Sequence, residues 1–188
     1  MKVDPELMRE LEMNRHDNFR MALAIFSYFG VPESLFDFGC GLADFVVAAN
    51  VLGCPNALGA DLYDLNVPGY HKQDISERFT WGPACHMLLC LEVMEHIEER
   101  RAADVIRNMH SHSLPGSILI FSAAPPGQEG NGHINCKGGK WWRDQLYNHG
   151  RFEFDERHTR NLQLILSVVG GPMANWIPSN LQVLHRLA

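Results

Sequence analysis

Leu35-Phe36-Asp37-Phe38-Gly39-Cys40-Gly41-Leu42-Ala43 decides the reading of this chain. A short, mostly apolar run enters a turn with glycine at alternate positions, and Ala43 to Leu52 continues as a helix closed by Gly53 and Pro55. A buried strand feeding a helix through such a turn is the opening unit of a parallel α/β sheet. Glycine lets the backbone approach a ligand that a β-carbon would keep away.

Upstream, Pro5 to Phe29 carries Leu7, Leu11, Phe19, Leu23 and Phe26 at helical spacing, so residues 1–30 read as a helical segment stopped by Gly30-Val31-Pro32. Downstream, the strand Asn56 to Ala60 ends at Asp61, and a weaker element at Tyr70-His71 ends at Asp74. His86 to Cys90 is a further strand, Glu98 to His110 a helix, and Ser117 to Phe121 a strand after the turn Leu114-Pro115-Gly116. Trp141 to Tyr147 reads as a helix, with Arg151 to Asp155 and Leu181 to Leu187 as the last two strands; the stretch between those strands carries no clear pattern. Strands alternating with helices imply a mostly parallel sheet with helices on both faces. Residues 124–140 are rich in glycine and too long for a plain connector, which suits an active-site loop.

The length of 188 residues suits one domain, 1–188, with a substantial core. A net charge of −6 disfavours long nucleic acid as a partner and leaves small molecules or glycans. Five cysteines form no C-x-x-C pair and no apolar run is long enough to span a membrane, so a reduced, soluble, cytoplasmic protein is expected. Composition is silent on oligomeric state.

Ligands of open parallel sheets bind beyond the carboxyl ends of the strands. Three features gather there: the turn with Asp37, Gly39, Cys40 and Gly41; Asp61, whose carboxylate suits two ribose hydroxyls; and Asp74-Ile75, suited to an adenine amino group and ring face. A dinucleotide fingerprint would need glycine at the sixth position of the turn, where Asp44 stands. That carboxylate suits a ligand without a pyrophosphate.

These segments, with Gly59-Ala60-Asp61, Gln73-Asp74-Ile75 and Cys90-Leu91-Glu92-Val93-Met94-Glu95-His96-Ile97, resemble the successive motifs of class I S-adenosylmethionine-dependent methyltransferases. The resemblance implies a Rossmann-like fold with a seven-stranded, mostly parallel sheet and an antiparallel last strand. It implies that Asp37, Gly39, Cys40 and Gly41 line the methionine half of S-adenosylmethionine, that Asp61 binds the ribose, and that Asp74 with Ile75 binds the adenine opposite Leu91. Ala43 departs from the glycine that many members carry.

Glu92, Glu95 and His96 are spaced so that one helical turn would bring all three to one face. Such a group either takes the proton of an acceptor hydroxyl or holds a divalent cation that lowers the pKa of that hydroxyl. His133, in the glycine-rich loop, is a candidate fourth member. The pattern is similar to the metal-dependent branch of the family, small-RNA 2′-O-methyltransferases included. That likeness implies Glu92, Glu95, His96 and His133 as ligands of Mg²⁺ or Mn²⁺. On residue type and spacing alone, Glu95, His96 and His133 are the candidate catalytic set.

The loop offers amide, carboxylate and imidazole groups, and Trp141 and Trp142 could stack on a sugar ring. The expectation is therefore O-methylation of a sugar, glycan or other polyhydroxylated small molecule. The alternatives are an RNA ribose 2′-O-methyltransferase and a non-catalytic cofactor-binding module.

Overall fold

The computed structural model describes residues 5–169 and 177–188. Its elements run α1 (Pro5–Phe29), β1 (Ser34–Phe38), α2 (Asp44–Val51), β2 (Asn56–Asp61), β3 (Tyr70–Lys72) and β4 (Cys85–Leu91). After a 3₁₀ turn (Met94–His96) come α3 (Glu99–Ser111), β5 (Ser113–Ser122), α4 (Gly139–Gly150), β6 (Phe152–Phe154), α5 (Glu156–Val169), α6 (Ile177–Asn180) and β7 (Gln182–Arg186). One seven-stranded sheet joins them in the order β3-β2-β1-β4-β5-β7-β6. The pairs from β3 to β5 are parallel, while β7 lies antiparallel to both β5 and β6. This is the Rossmann-like arrangement expected from the sequence. The stretch without a clear pattern contains α5 and α6; residues 170–176 lie outside the described part.

All five residues of β1 are buried, because helices cover both faces of the sheet. Successive residues therefore enter different cores. Leu35 packs with Met21 and Ile25 of α1, Val46 of α2 and Leu162 of α5. Phe36 packs on the other face with Ile106 and Met109 of α3 and Trp142 of α4. The same alternation sends Val183 to the first core and Leu184 to the second.

Trp142 is fully buried and stands edge-on to the partly buried Trp141 at 4.7 Å. Neither ring lines the cavity described below. The sugar-stacking expectation is thus corrected: Trp142 fills the core beside Phe121, and Trp141 lies under the Lys137 ammonium. All five cysteines are free. No helix among the described residues is long and apolar enough to cross a membrane.

Candidate functional site

A cavity of about 630 Å³ opens at the carboxyl ends of β1, β2 and β4, and Asp37, Gly39, Cys40, Gly41, Asp61, Asp74, Ile75 and Leu91 all line it. The glycine turn is tied down by bonds from the Gly39 and Cys40 amides to the Ala60 carbonyl, at 2.9 and 3.2 Å. Gly39 has φ 74°, and a β-carbon there would stand 2.5 Å from Val93 Cγ2. Left-handed backbone and lack of room both demand glycine at this position. Ala43 also has φ 61°, which accounts for the appeal of glycine at that position.

Asp61 accepts the Gly41 amide at 2.8 Å and the Leu62 amide at 2.6 Å, so its carboxylate caps the turn while facing the cavity. Burial raises its pKa, and the two amides oppose that rise. Asp37, 3% exposed, is pushed up to about 8 by burial first, then by the charges of Asp61 and Asp44. A buried carboxyl among other acids is a place for a cationic group of a ligand. Asp74 accepts the Ser76 amide at 2.9 Å and the Ser76 hydroxyl at 2.5 Å. Arg101 reaches its other oxygen at 3.4 Å. Burial alone would raise the Asp74 pKa; the Ser76 and Arg101 contacts outweigh it and hold the group below the usual range.

The chemistry end differs from the helical face expected for Glu92, Glu95 and His96. The Glu92 amide bonds to both the carbonyl and the hydroxyl of Ser122, each at 3.1 Å, which extends the β4–β5 ladder by one residue. Glu92 then takes φ 52°, and the chain makes only a 3₁₀ turn before α3. Its carboxylate faces Gln128 Nε2 at 3.2 Å and Asn180 Nδ2 at 3.5 Å.

Glu95, His96 and His133 do converge, with one donor atom of each within 4.8 Å of the others. The two rings meet edge to face with centroids 5.0 Å apart. Glu95 is fully buried; one carboxylate oxygen accepts the Ala124 amide at 3.1 Å, while the other has no hydrogen-bond partner. Burial, then the Glu92 charge, raises its pKa. Although the His96 ring keeps one side open to solvent, loss of hydration in the cleft, followed by His133, lowers its pKa. The 124–140 loop is anchored here, since the Ile134 and Asn135 amides both bond the Glu95 carbonyl at 2.9 Å and His96 Nδ1 lies 3.2 Å from the Gly132 carbonyl. Of the four residues expected as metal ligands, Glu92 is not among the converging three, although its carboxylate lies close enough to that of Glu95 to raise the Glu95 pKa.

The wall formed by α1 is absent from the sequence reading. Leu11, Asn14, Asn18 and Met21 line the cavity, and Arg15 Nε and Asn18 Nδ2 bond the buried Asp44 carboxylate at 2.9 and 3.0 Å. The signal was Asp44 itself, a carboxylate at a helix start that needs cationic or amide partners once buried.

No family model matches the chain, and no curated protein matches it. Solved structures do resemble it. The sugar N-methyltransferase KedS8 from a Streptoalloteichus species is 15% identical, with TM-score 0.66 over 100% of this chain and 94% of that one. A SAM-dependent methyltransferase from Archaeoglobus fulgidus is 15% identical, with TM-score 0.66 over 97% and 100%. The plantazolicin methyltransferase BpumL, in complex with a triazolic desmethylPZN analogue and SAH, is 14% identical, with TM-score 0.65 over 98% and 92%. At these identities the likeness establishes the class I methyltransferase fold.

Proposed function

We propose that this chain is an S-adenosylmethionine-dependent methyltransferase, a single catalytic domain that methylates a hydroxyl of a sugar, glycan or similar polyhydroxylated small molecule. One observation carries the reading: Asp37, Asp61 and Asp74 line the same cavity as Glu92, His96 and His133. S-adenosylmethionine supplies an already activated methyl group. The protein's tasks are then to hold the donor, align the acceptor, exclude water and take up a proton.

Asp61 receives the ribose hydroxyls, Asp74 and Ile75 the adenine, and Asp37 the ammonium of the methionine part. His96, with its lowered pKa, is neutral near pH 7 and can accept the proton of an acceptor hydroxyl. His133 faces it from the loop. The orphaned oxygen of Glu95 beside two imidazoles is also a donor set that fits a divalent cation such as Mn²⁺ or Mg²⁺. Glu95, His96 and His133 would hold the ion, whose chemistry would be to lower the pKa of the acceptor hydroxyl.

The test is transfer of labelled methyl from S-adenosylmethionine to a panel of free and nucleotide-linked sugars, with amino sugars and a short RNA as separate arms. Transfer to sugar oxygen is expected. Transfer to RNA alone, or binding of NADH in place of S-adenosylhomocysteine, overturns the reading. Transfer to an amine is the second reading; the Glu92 carboxylate on the cavity wall favours it by its attraction for an aminium ion.

A further inference from the structure

A second group of metal-ligating side chains lies away from the cavity, and none of its members lines it. Asp155 immediately precedes α5, His158 lies in the first turn of that helix, and His185 is on β7. One donor atom of each falls within 4.8 Å of the others. We propose that Asp155, His158 and His185 form a structural site for a divalent cation of the Zn²⁺, Co²⁺ or Ni²⁺ type.

The two oxygens of Asp155 have separate roles. Oδ1 accepts the His158 amide at 2.8 Å and so caps α5. Oδ2 is left to face both rings, 3.1 Å from His185 Nε2 and 4.0 Å from His158 Nε2. Bonds of about 2.0–2.1 Å in a tetrahedral site put ligand atoms roughly 3.3 Å apart. The two Asp155 separations bracket that spacing, and with the histidine donor atoms within 4.8 Å of each other, shifts of roughly an ångström bring the three atoms onto one ion.

The His158 ring is oriented as a ligand should be. His158 Nδ1 lies 2.8 Å from the Tyr28 hydroxyl, which also accepts Asn161 Nδ2 at 3.0 Å. A proton on Nδ1 donated to that hydroxyl leaves the Nε2 lone pair facing Asp155, the support that ligating histidines commonly have. Glu153 is the cross-strand partner of His185 and lies on the same sheet face, adding a second carboxylate beside the site. The opposing charge is Arg157, whose guanidinium stands 3.2 Å from His158 Nε2. Its side chain is exposed and free to swing into solvent when a cation arrives.

Two imidazoles and a carboxylate suit borderline metals. A bound ion would join β7 to the start of α5 and, through Tyr28, to the end of α1.

The test is Co²⁺ binding to untagged protein carrying His133→Ala, which breaks the cleft group and isolates this one. Expected are about one equivalent of Co²⁺ with visible d–d bands, no thiolate charge-transfer band, and a raised melting temperature. Adding His185→Ala, or separately His158→Gln, should weaken binding about tenfold or more and remove the thermal shift. Far-ultraviolet circular dichroism verifies that each variant is folded. Unchanged Co²⁺ affinity in both double variants, or no binding by the His133→Ala protein, overturns the proposal. Neither readout depends on methyl transfer, so its failure is distinct from failure of the enzymatic reading.

Discussion

Arg15 of α1 holds its Nε 2.9 Å from Oδ1 of Asp44, the first residue of α2, so the helix that walls the cavity is fastened to the glycine turn that floors it. The two partners are unequal: the Arg15 side chain is 48% exposed and that of Asp44 2%.

That inequality orders two variants. Asp44→Ala leaves Asn18 and Arg15 without their acceptor and should destabilise the fold by about 1–3 kcal/mol. Arg15→Ala, at a half-exposed position with Asn18 still in place, should cost under about 1 kcal/mol. Both should weaken S-adenosylhomocysteine binding, Asp44→Ala more. Urea denaturation and calorimetry read both effects, and the reverse order would show that α1 is held by something else.

Asp61→Ala should weaken S-adenosylhomocysteine by about 1–3 kcal/mol, because ribose hydroxyls and the Gly41 amide lose one shared acceptor. Unchanged affinity in a titration would remove Asp61 from the binding site.

Asp37 gives binding a pH dependence. With a pKa near 8 in the free protein it is protonated at pH 7, and a ligand ammonium favours its carboxylate. Binding of S-adenosylhomocysteine at pH 7 should release protons, and affinity should rise with pH up to about 8 and then level. Calorimetry in buffers of different ionisation enthalpy measures the proton count. For stability the sign is opposite. The folded state keeps a proton that the unfolded state gives up near its ordinary carboxylate pKa, so stability falls as pH rises from about 4 to 8. Asp37→Asn should flatten this group's share of that fall.

If a cation assists the transfer, excess EDTA abolishes activity and Mn²⁺ or Mg²⁺ restores it. Glu95→Gln and His133→Ala should each remove the rescue while sparing S-adenosylhomocysteine affinity. EDTA-resistant turnover, with a rate rising through the pKa of a histidine, would instead make His96 or His133 the base.

Hydrogen exchange should divide the 124–140 loop. The Ile134 and Asn135 amides, both bonded to the Glu95 carbonyl, should exchange slowly in the free protein, and that of the exposed Glu129 quickly. Uniform protection would make the loop a rigid wall.

The parts of this fold that were readable in the sequence are those fixed by neighbours along the chain. The run from Leu35 to Ala43 makes its own strand, turn and helix start, and Asp61 and Asp74 fall at strand ends for the same local reason. The disposition of Glu92 was not readable, because a bond to Ser122, thirty positions away, overrides the helical spacing. Trp142 was ambiguous because periodicity marks an apolar face without saying what covers it. The wall of α1 depends on docking between distant segments; only the odd residue at position 44 hinted at it.

The antiparallel β7 has a consequence for synthesis on the ribosome. The strands that shape the cavity are complete by Leu91, yet β5 obtains its second neighbour only when Gln182–Arg186 slots between it and β6. Until then the nascent chain carries an unpaired strand edge, open to pairing with other nascent chains. Vectorial folding thus separates two events: the end of the cleft between Asp37 and Leu91 is made early, while the edge of β5 is covered only when β7 arrives.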